Sequence, residues 1–315
     1  MILWITLGAV AFLAIAVLLT SFICFYRIFY ADRKKEAQNK EEYPIPDGEV
    51  YLPHKDNMIA WMKEVRAMPH TDVSITSFDG LTLRGRYYEN EKGAPIELMM
   101  HGYRGESERD LSGGVLRCRA VGHNALLVDH RAAGKSEGSV ITFGVNESRD
   151  CVDWIRFIIQ NIDKDAKIIL TGVSMGAATV MITAAKELPE NVIGVLADCG
   201  YTSAKAIIKK VIREMKLPAN LLYPFARLGG MIFGGFDVDS ESPIEAMKKC
   251  RLPVIFFHGD DDAFVPHSMS VENYEACITE KRMVTIEGAG HGLAFPINQE
   301  KYIYEMQDFF SPMKK

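Results

Sequence analysis

A run of 25 residues without a charged side chain, from Ile2 to Tyr26, is the feature that most constrains this chain. As an α-helix the run would rise about 37 Å, which exceeds the hydrocarbon thickness of a bilayer, about 30 Å. A cleaved signal peptide needs a shorter apolar stretch followed by small residues, whereas this run leaves through Phe25, Tyr26 and Arg27. We therefore expect an uncleaved transmembrane helix over residues 1–27.

Charge changes abruptly after this run. Residues 27–40 contain five basic and two acidic side chains, although the whole chain has a net charge of −5. The basic side chains belong to Arg27, Arg33, Lys34, Lys35 and Lys40. Basic residues beside a transmembrane helix favour the cytoplasmic side, so we expect a single-pass membrane protein with a cytoplasmic body. The acidic body argues against nucleic acid as a partner, since phosphate binding needs a basic surface.

The cysteines beyond the apolar run agree with a reducing compartment. They are five in number, widely spaced and without a C-x-x-C pair: Cys118, Cys151, Cys199, Cys250 and Cys277. We expect them to be buried as small apolar side chains. Residues 28–69 are predicted to be a linker and approach segment, because Ala31 to Asp47 is polar and rich in proline near its end. One domain is expected over residues 70–315.

Short apolar runs predict the architecture of this domain. Two β-type runs, Val73–Phe78 and Leu81–Tyr88, are joined by Asp79-Gly80, which is a strong hairpin signal. Six further strand-like runs, each followed by room for a crossover helix, are Ile96–Met100, Ala125–Val128, Ile168–Leu170, Val192–Ala197, Val254–Phe257 and Met283–Ile286. Helices are expected at Val145–Ile162 and Met175–Leu188. The order predicts an α/β fold with a mostly parallel eight-stranded sheet, in which ligands bind beyond the carboxyl ends of the strands.

Residues 172–176 read G-V-S-M-G, a G-x-S-x-G pattern between a strand-like and a helix-like segment. Ser174 would lie in a tight, strained turn, where side chains in place of Gly172 and Gly176 would collide with neighbouring backbone. The helix that starts at Met175 would direct its N–H groups at developing negative charge. The simpler alternative is a glycine-serine turn without chemistry. The strand-turn-helix context favours Ser174 as a nucleophile.

A serine nucleophile needs a base that is oriented by an acid, and both residue types follow at later strand ends. Residues 258–262 read H-G-D-D-D after one strand, and residues 287–292 read E-G-A-G-H-G after the last. The candidate acids are Asp260, Asp261 and Asp262, and the candidate base is His291. A cation site at the three carboxylates is disfavoured, because consecutive residues cannot all face one ion and the 12-residue calcium-loop spacing is absent.

With these strand ends in place, the chain resembles the α/β-hydrolase superfamily over roughly residues 70–310, in which serine, acid and histidine follow in this order. The stretch H-G-x-x-D-x-x-V-P places the acid of that family at Asp262, with Asp260 and Asp261 as alternatives. The family's histidine loop places the base at His291. The resemblance therefore implies a catalytic triad of Ser174, Asp262 and His291.

The loop that follows Ile96–Met100 is similar to the H-G loop of the same family. There the resemblance implies an oxyanion hole formed by the backbone N–H groups of Tyr103 and Met175. His101 and Gly102 are expected to shape this loop rather than to react, as Gly172 and Gly176 shape the serine turn.

A rival pattern lies at residues 129–136, where a Gly-Lys-Ser ending imitates a phosphate-binding loop. Asp129 stands in the place of the first glycine, and its charge would repel phosphate. The segment also runs into Glu137-Gly138 instead of a helix. It is instead similar to the D-x-R-x-x-G-x-S loop of many α/β-hydrolases, so we expect a structural turn.

About 55 residues separate the strand ending at Ala197 from the one starting at Val254, which exceeds a simple crossover. Ala204–Lys216 is amphipathic and Leu217–Phe236 is densely apolar, a combination similar to the family's helical lid. We expect a lid at about residues 200–250 that favours an apolar acyl group and lies within reach of lipid. The alternative is that these apolar residues only pack the insertion onto the body.

Among α/β-hydrolases the pattern is most similar to bem46-like and serine-aminopeptidase-like members with an N-terminal membrane helix. It predicts a membrane-anchored serine hydrolase, of carboxylesterase or lipase type, that acts on a small-molecule or lipid-like acyl ester through an acyl-enzyme. No cofactor and no metal is expected. The alternatives are a serine peptidase and, from another class, a non-catalytic membrane-tethered binding protein on a hydrolase scaffold. The oligomeric state is left open.

Overall fold

The computed structural model describes residues 2–32 and 41–311. The strands are β1 Thr71–Thr76, β2 Thr82–Tyr88, β3 Ile96–Met100, β4 Asn124–Val128, β5 Ile168–Val173, β6 Val192–Asp198, β7 Val254–Gly259 and β8 Lys281–Ile286. The helices are α1 Ile2–Ile28, α2 Lys55–Ala67, α3 Ser107–Ala120, α4 Glu147–Phe157, α5 Met175–Thr183, α6 Ala204–Glu214, α7 Ala219–Phe233, α8 Pro243–Met247, α9 His267–Ala276, α10 Ala294–Ile297 and α11 Gln299–Phe310. A 3-10 helix at Glu49–His54 precedes α2, and a π-helical turn at Ile158–Ile162 extends α4.

The strands form one eight-stranded sheet in the order β1-β2-β4-β3-β5-β6-β7-β8. Strand β2 pairs antiparallel with both β1 and β4, and all the other neighbours are parallel. The prediction of a hairpin leading into a mostly parallel eight-stranded sheet is therefore confirmed. Parallel strands point their carboxyl ends to the same edge, so the loops after β3, β5, β6, β7 and β8 meet there.

Helices cover both faces of the sheet, which explains why its central strands are apolar along their whole length. Successive residues of β5 show the alternation: Ile168 and Leu170 lie in a core cluster with Trp154, whereas Ile169 lies in the opposite cluster with Phe310. Burial of each large side chain of this kind contributes about 1.5–3 kcal/mol to stability. The five cysteines beyond α1 are buried and unpaired, as expected.

Two of the predicted helices are shorter than expected. Helix α5 ends at Thr183. The backbone N–H groups of Ala185 and Lys186 donate hydrogen bonds to the carbonyls three residues earlier, as in a 3-10 turn, and Pro189 follows. Helix α4 starts at Glu147, whose carboxylate accepts the N–H of Gly144 in the preceding loop.

Within the predicted approach segment, the described residues 41–69 contain a 3-10 helix and the helix α2. Helix α2 packs against α3, and its Arg66 pairs with Glu108 at the start of that helix. Sequence reasoning missed α2, because its amphipathic pattern is weak and is interrupted by exposed charges. The chain just after α1 is also attached to the body: Ala31 N–H donates to Ser139 O at 2.9 Å, and Tyr30 forms a β-bridge with Val140.

Helix α1 is the one helix among the described residues that is long and apolar enough to cross a membrane, by length and composition. Its carboxyl-terminal half packs along α7, and Ser21 and Phe25 are buried there. The basic residues Arg33, Lys34, Lys35 and Lys40, on which the predicted orientation partly depends, lie outside the described residues.

The predicted lid corresponds to α6, α7 and α8, which lie between β6 and β7. Helix α6 is preceded by Ser203, whose side chain accepts the N–H of Ala206 and so caps the helix. Its apolar face, with Ile207, Ile208 and Ile212, is buried against the body.

Candidate active site

Ser174 lies between β5 and α5 in a strained backbone conformation, with φ 57° and ψ −115°. A Cβ atom on Gly172 would lie 2.2 Å from the Gly176 carbonyl carbon, and one on Gly176 would lie 2.0 Å from the carbonyl oxygen of Met100. Both positions therefore require glycine, as the spacing predicted. The tight turn lifts the Ser174 side chain above the carboxyl edge of the sheet.

His291, in the loop after β8, lies within hydrogen-bond distance of Ser174. Its Nε2 atom is 2.9 Å from Ser174 Oγ, and its Nδ1 atom is 2.7 Å from Asp262 Oδ2. A carboxylate only accepts hydrogen bonds, so Nδ1 carries the proton and Nε2 accepts from the Ser174 hydroxyl. The Phe264 ring meets the imidazole edge-on, with 5.0 Å between centroids. The imidazole is therefore held in one tautomer and one orientation.

Asp262 is the acid that the structure brings to His291. Its Oδ1 atom accepts the backbone N–H groups of Phe264 and Val265, and its Oδ2 atom accepts from His291 and from His258. Burial alone would raise the pKa of Asp262, but the hydrogen bonds from both histidines outweigh it and hold the pKa well below its usual range. The carboxylate thus stays ionised beside His291.

The two competing acids point elsewhere. Asp260 and Asp261 are exposed, whereas Asp262 is buried. Asp260 Oδ1 accepts the N–H of Gly288 at 2.7 Å and so closes the turn before the histidine loop. This geometry favours Asp262 over its neighbours.

His258, the last-but-one residue of β7, is a site residue that sequence reasoning missed. Its fully buried Nε2 atom lies 3.0 Å from Asp262 Oδ2 and 2.9 Å from the carbonyl oxygen of Val265, so this nitrogen carries a proton. Its Nδ1 atom accepts from the Ser270 hydroxyl at 2.6 Å. The sequence did contain a signal for this residue: a histidine directly follows the apolar run Val254–Phe257, four residues before Asp262.

The loop after β3 lies beside Ser174. A Cβ atom on Gly102 would lie 3.6 Å from Ser174 Cβ. His101 Nε2 accepts the backbone N–H of His130 at 3.0 Å, so its Nδ1 atom donates to the Gly102 carbonyl at 2.8 Å. His101 makes these loop contacts instead of contacting the serine or its base. Met175 is buried as the first residue of α5.

The same loop is bound to the end of α1, which the sequence did not reveal. The Tyr103 hydroxyl donates to the carbonyl oxygen of Ile28 at 2.6 Å. The Arg104 guanidinium donates to the carbonyl oxygens of Arg27 at 3.0 Å and of Tyr30 at 3.1 Å. The carbonyls of Arg27 and Ile28 belong to the last turn of α1, where a helix leaves them without a partner, and Tyr30 lies two residues beyond the helix.

The segment that imitates a phosphate-binding loop forms a structural turn. The Asp129 carboxylate occupies its centre and accepts the backbone N–H groups of Ser107 and Lys135. A Cβ atom on Gly134 would lie 2.2 Å from this carboxylate. Arg131 pairs with Asp150 on one side of the turn. The backbone N–H of Lys135, which would otherwise face a phosphate, thus binds a side chain of the protein itself.

No protein-family model matches the chain. It is 27% identical to YqkD of Bacillus subtilis over 194 residues, which are 61% of this chain and 64% of that protein. It is 24% identical to the protein bem46 of Schizosaccharomyces pombe over 196 residues, 62% of this chain and 60% of that one. The chain thus matches slightly less than two thirds of the length of these relatives.

The fold is similar to that of the esterase Pf2001 of Pyrococcus furiosus, with a TM-score of 0.65 and 21% identity. The likeness covers 85% of this chain and 96% of the esterase. The chain therefore has the α/β-hydrolase fold. At this level of identity the likeness establishes the fold alone, so the activity is argued from the residues of this chain.

One further acid lies behind Ser174. Asp198 ends β6, and its backbone carbonyl accepts the Ser174 N–H at 2.8 Å. Its buried side chain accepts from the Tyr302 hydroxyl at 3.0 Å. Burial raises the pKa of Asp198 to about 6, although His258, the Tyr302 hydrogen bond and His291 oppose the rise. This carboxyl therefore faces Tyr302 instead of the catalytic candidate His291.

Three potential metal ligands also meet among the described residues. Ligand atoms of Cys199, Asp262 and His291 lie within 4.8 Å of one another. The carboxylate and the imidazole of this group are hydrogen-bonded to each other, and the imidazole is also bonded to Ser174. The geometry thus favours the hydrogen-bond chain over ion binding, since a cation would have to displace both contacts.

Proposed function

We propose that this α/β-hydrolase is a serine hydrolase that cleaves an acyl ester and is anchored to a membrane by α1. The observation that carries the proposal is the continuous hydrogen-bond chain from Ser174 through His291 to Asp262, with distances of 2.9 and 2.7 Å. Nucleophile, base and orienting acid are within the range that such a triad needs. Similarity to an esterase fold supports the same reaction class.

The reaction starts when Ser174 Oγ attacks the ester carbonyl while His291 Nε2 takes its proton. Asp262 stabilises the imidazolium that forms, without itself taking the proton. His291 then returns the proton to the leaving alcohol, which yields an acyl-enzyme. Water, activated by the same imidazole, releases the acid and restores Ser174.

Negative charge develops on the ester oxygen during both steps and needs donors on the opposite side from His291. The backbone N–H of Met175, at the amino end of α5, and that of Tyr103, in the loop beside Ser174, are the proposed donors. The dipole of α5 also favours negative charge at this point. The loss of one such donor typically costs about 10²–10³ in turnover.

Attachment to a membrane is supported by the length of α1 and by its apolar, exposed surface. The excess of basic residues after α1 favours a cytoplasmic body. Protease treatment of intact cells tests this orientation. Digestion of the body from outside the cell would contradict it.

A fluorophosphonate probe, which reacts with activated serines, tests the proposed nucleophile. We expect the probe to label the parent chain and Ser268→Ala, which removes an exposed serine on α9, but not Ser174→Ala. Absence of labelling in the parent chain would defeat the hydrolase proposal. A panel of p-nitrophenyl esters beside aminoacyl amides then separates an esterase from a peptidase. We expect turnover of the esters, and faster turnover of the amides would replace the proposal with the peptidase alternative.

A further inference from the structure

The lid exposes an unusual concentration of apolar side chains. Thirteen large hydrophobic residues outside α1 are exposed among the described residues, and six of them lie within residues 215–233. These six, which we call the lid surface, are Met215, Leu217, Leu221, Met231, Ile232 and Phe233. Clustered exposure of this kind marks an interaction site, whereas scattered exposed residues do not.

The lid surface is continuous with the apolar helix α1. A Cβ atom on Gly229 of α7 would lie 2.3 Å from the carbonyl oxygen of Ser21, so the two helices are in close backbone contact. The Phe233 ring lies 5.2 Å from the Phe22 ring and 5.9 Å from the Phe25 ring. The exposed apolar residues of α7 therefore extend the exposed surface of α1 without a polar gap at this contact.

The body is held in one orientation relative to α1. Tyr103 and Arg104 bind the carbonyl oxygens at the end of the helix, and Ala31 N–H binds Ser139 O. Together with the packing of α7, these contacts attach both sides of the helix end to the body. The position of α1 in a bilayer thus also sets the position of the lid surface.

The dimensions place the lid surface at the bilayer boundary. Ser21 is the first fully buried residue of α1, so residues 2–20 precede the buried part of its contact with α7. As a helix these residues span about 28 Å, close to the hydrocarbon thickness of about 30 Å. With this part in the hydrocarbon, the remaining residues of α1 and the adjoining α7 lie at the headgroup level.

The charge of the lid fits such a boundary. Residues 204–217 contain five basic side chains and one acidic one, in a chain with a net charge of −5. Lys205, Arg213 and Lys216 are exposed among them. Each basic residue near an anionic membrane surface contributes about 1 kcal/mol to its attraction. The combination of exposed apolar and basic residues is typical of segments that lie in the membrane interface.

The lid is also connected to the candidate active site. Lys210 of α6 donates to the carbonyl oxygen of Ala263, and its amine lies over the Phe264 ring that contacts His291. One apolar cluster contains Phe25 of α1, Tyr223 of α7 and Met175, the residue after the nucleophile. Apolar packing thus connects the membrane helix and the lid to the residue that follows Ser174.

We propose that the α6–α7 face docks on an anionic phospholipid surface and that the site takes its acyl ester from the bilayer. The second half of this inference rests on the proposed ester hydrolysis, whereas the docking itself does not. Docking adds apolar and electrostatic contacts to those of α1, so the lid lies at the lipid boundary whenever α1 spans the membrane.

Spin labels test the docking without any need for activity. Leu221 is 61% exposed on the lid surface and Ile278 is 69% exposed on the loop between α9 and β8, so they form a matched pair. Each residue is changed to cysteine in a full chain that also carries Cys24→Ser. The other five cysteines of the chain are buried. In nanodiscs that contain phosphatidylglycerol, we expect the label at 221 to collide more with oxygen than with a water-soluble nickel chelate, and the label at 278 to show the reverse. Equal accessibility at both positions would overturn the docking.

Charge reversal tests the supply of substrate from the bilayer. The lid variant reverses three exposed basic residues of the lid: Lys205→Glu/Arg213→Glu/Lys216→Glu. The control variant reverses three exposed lysines elsewhere on the body: Lys92→Glu/Lys164→Glu/Lys249→Glu. The readout is the ratio of turnover of membrane-dissolved p-nitrophenyl palmitate to that of water-soluble p-nitrophenyl acetate. We expect the lid variant to lower this ratio by about fivefold or more in anionic nanodiscs, and the control variant to keep it.

An equal ratio in both variants would overturn supply from the bilayer. Absence of acetate and palmitate turnover in the parent chain would instead defeat the proposed ester hydrolysis, and the spin labels would still decide the docking.

Discussion

The hydroxyl of Tyr103 donates a 2.6 Å hydrogen bond to the carbonyl oxygen of Ile28, the last residue of α1. One partner belongs to the loop that carries a proposed oxyanion donor, and the other ends the apolar helix 75 residues earlier. The bond satisfies a carbonyl that the helix itself leaves without a partner. It also fixes the position of the loop, because Tyr103 carries the proposed donor on its own backbone.

We expect Tyr103→Phe to lower kcat for a soluble ester by about three- to tenfold, since a displaced oxyanion donor loses part of its contribution to the transition state. The KM value should change less, because the ester carbonyl gains its negative charge only in the transition state. Steady-state kinetics beside a thermal melt check this. A parental kcat would show that the bond has no influence on the site.

Asp262→Asn should lower kcat by about 10³–10⁴, because the neutral amide neither stabilises the imidazolium nor fixes the tautomer of His291. Asp260→Asn and Asp261→Asn are the matched controls, since both carboxylates are exposed neighbours in the same loop. They should retain activity within about threefold, in line with the small effects of exposed charges. Similar losses in all three variants would mean that Asp262 is not the acid of the triad.

His258→Met removes the second imidazole donor to Asp262 and puts an apolar side chain of similar size in its place. We expect kcat to fall about tenfold, because a hydrogen bond to a charged group contributes about 1.5–3 kcal/mol. His258→Gln, which can place an N–H near the position of Nε2, should recover most of this loss. Equal activity of the two variants at equal melting temperature would refute a positioning role for His258.

Asp198→Asn should stabilise the folded protein above pH 6. Because burial raises the pKa of Asp198 to about 6 in the folded state, above the usual value near 3.9 in the unfolded chain, the folded state binds more protons between these values. The parent chain therefore loses stability as pH rises through this interval, by up to about 2–3 kcal/mol. The asparagine variant should not show this loss, since its side chain does not titrate and still accepts from Tyr302.

Urea unfolding of the full chain in detergent at pH 5 to 8 checks this prediction. Asp165→Asn, which removes an acid whose side chain is 81% exposed, is the control and should follow the parent curve. A difference between Asp198→Asn and the parent that does not change with pH would contradict the raised pKa.

The strand runs and the serine turn were accessible from the sequence because both depend on local physics. Apolar runs bounded by turn residues specify buried strands, and parallel strands necessarily bring their carboxyl ends to one edge. Gly172 and Gly176 indicated the serine turn for the same reason, since a Cβ atom at either position would lie only two to three ångströms from neighbouring backbone atoms. The sequence by itself thus determined the eight-stranded sheet and the position of Ser174 above it.

The tertiary structure decided how the side chains meet at that edge. The residues alone left three adjacent aspartates as candidate acids, and only the family resemblance favoured Asp262, whereas the folded loop after β7 buries Asp262, and neither neighbour, next to His291. The bond from His258 to the same carboxylate depends on how that loop folds back on its own strand. The attachment of Ile28 to Tyr103 joins segments far apart in the chain, and no local period encodes it. Side-chain direction and long-range contact arise only when the whole chain packs, because each depends on neighbours that the local sequence does not contain.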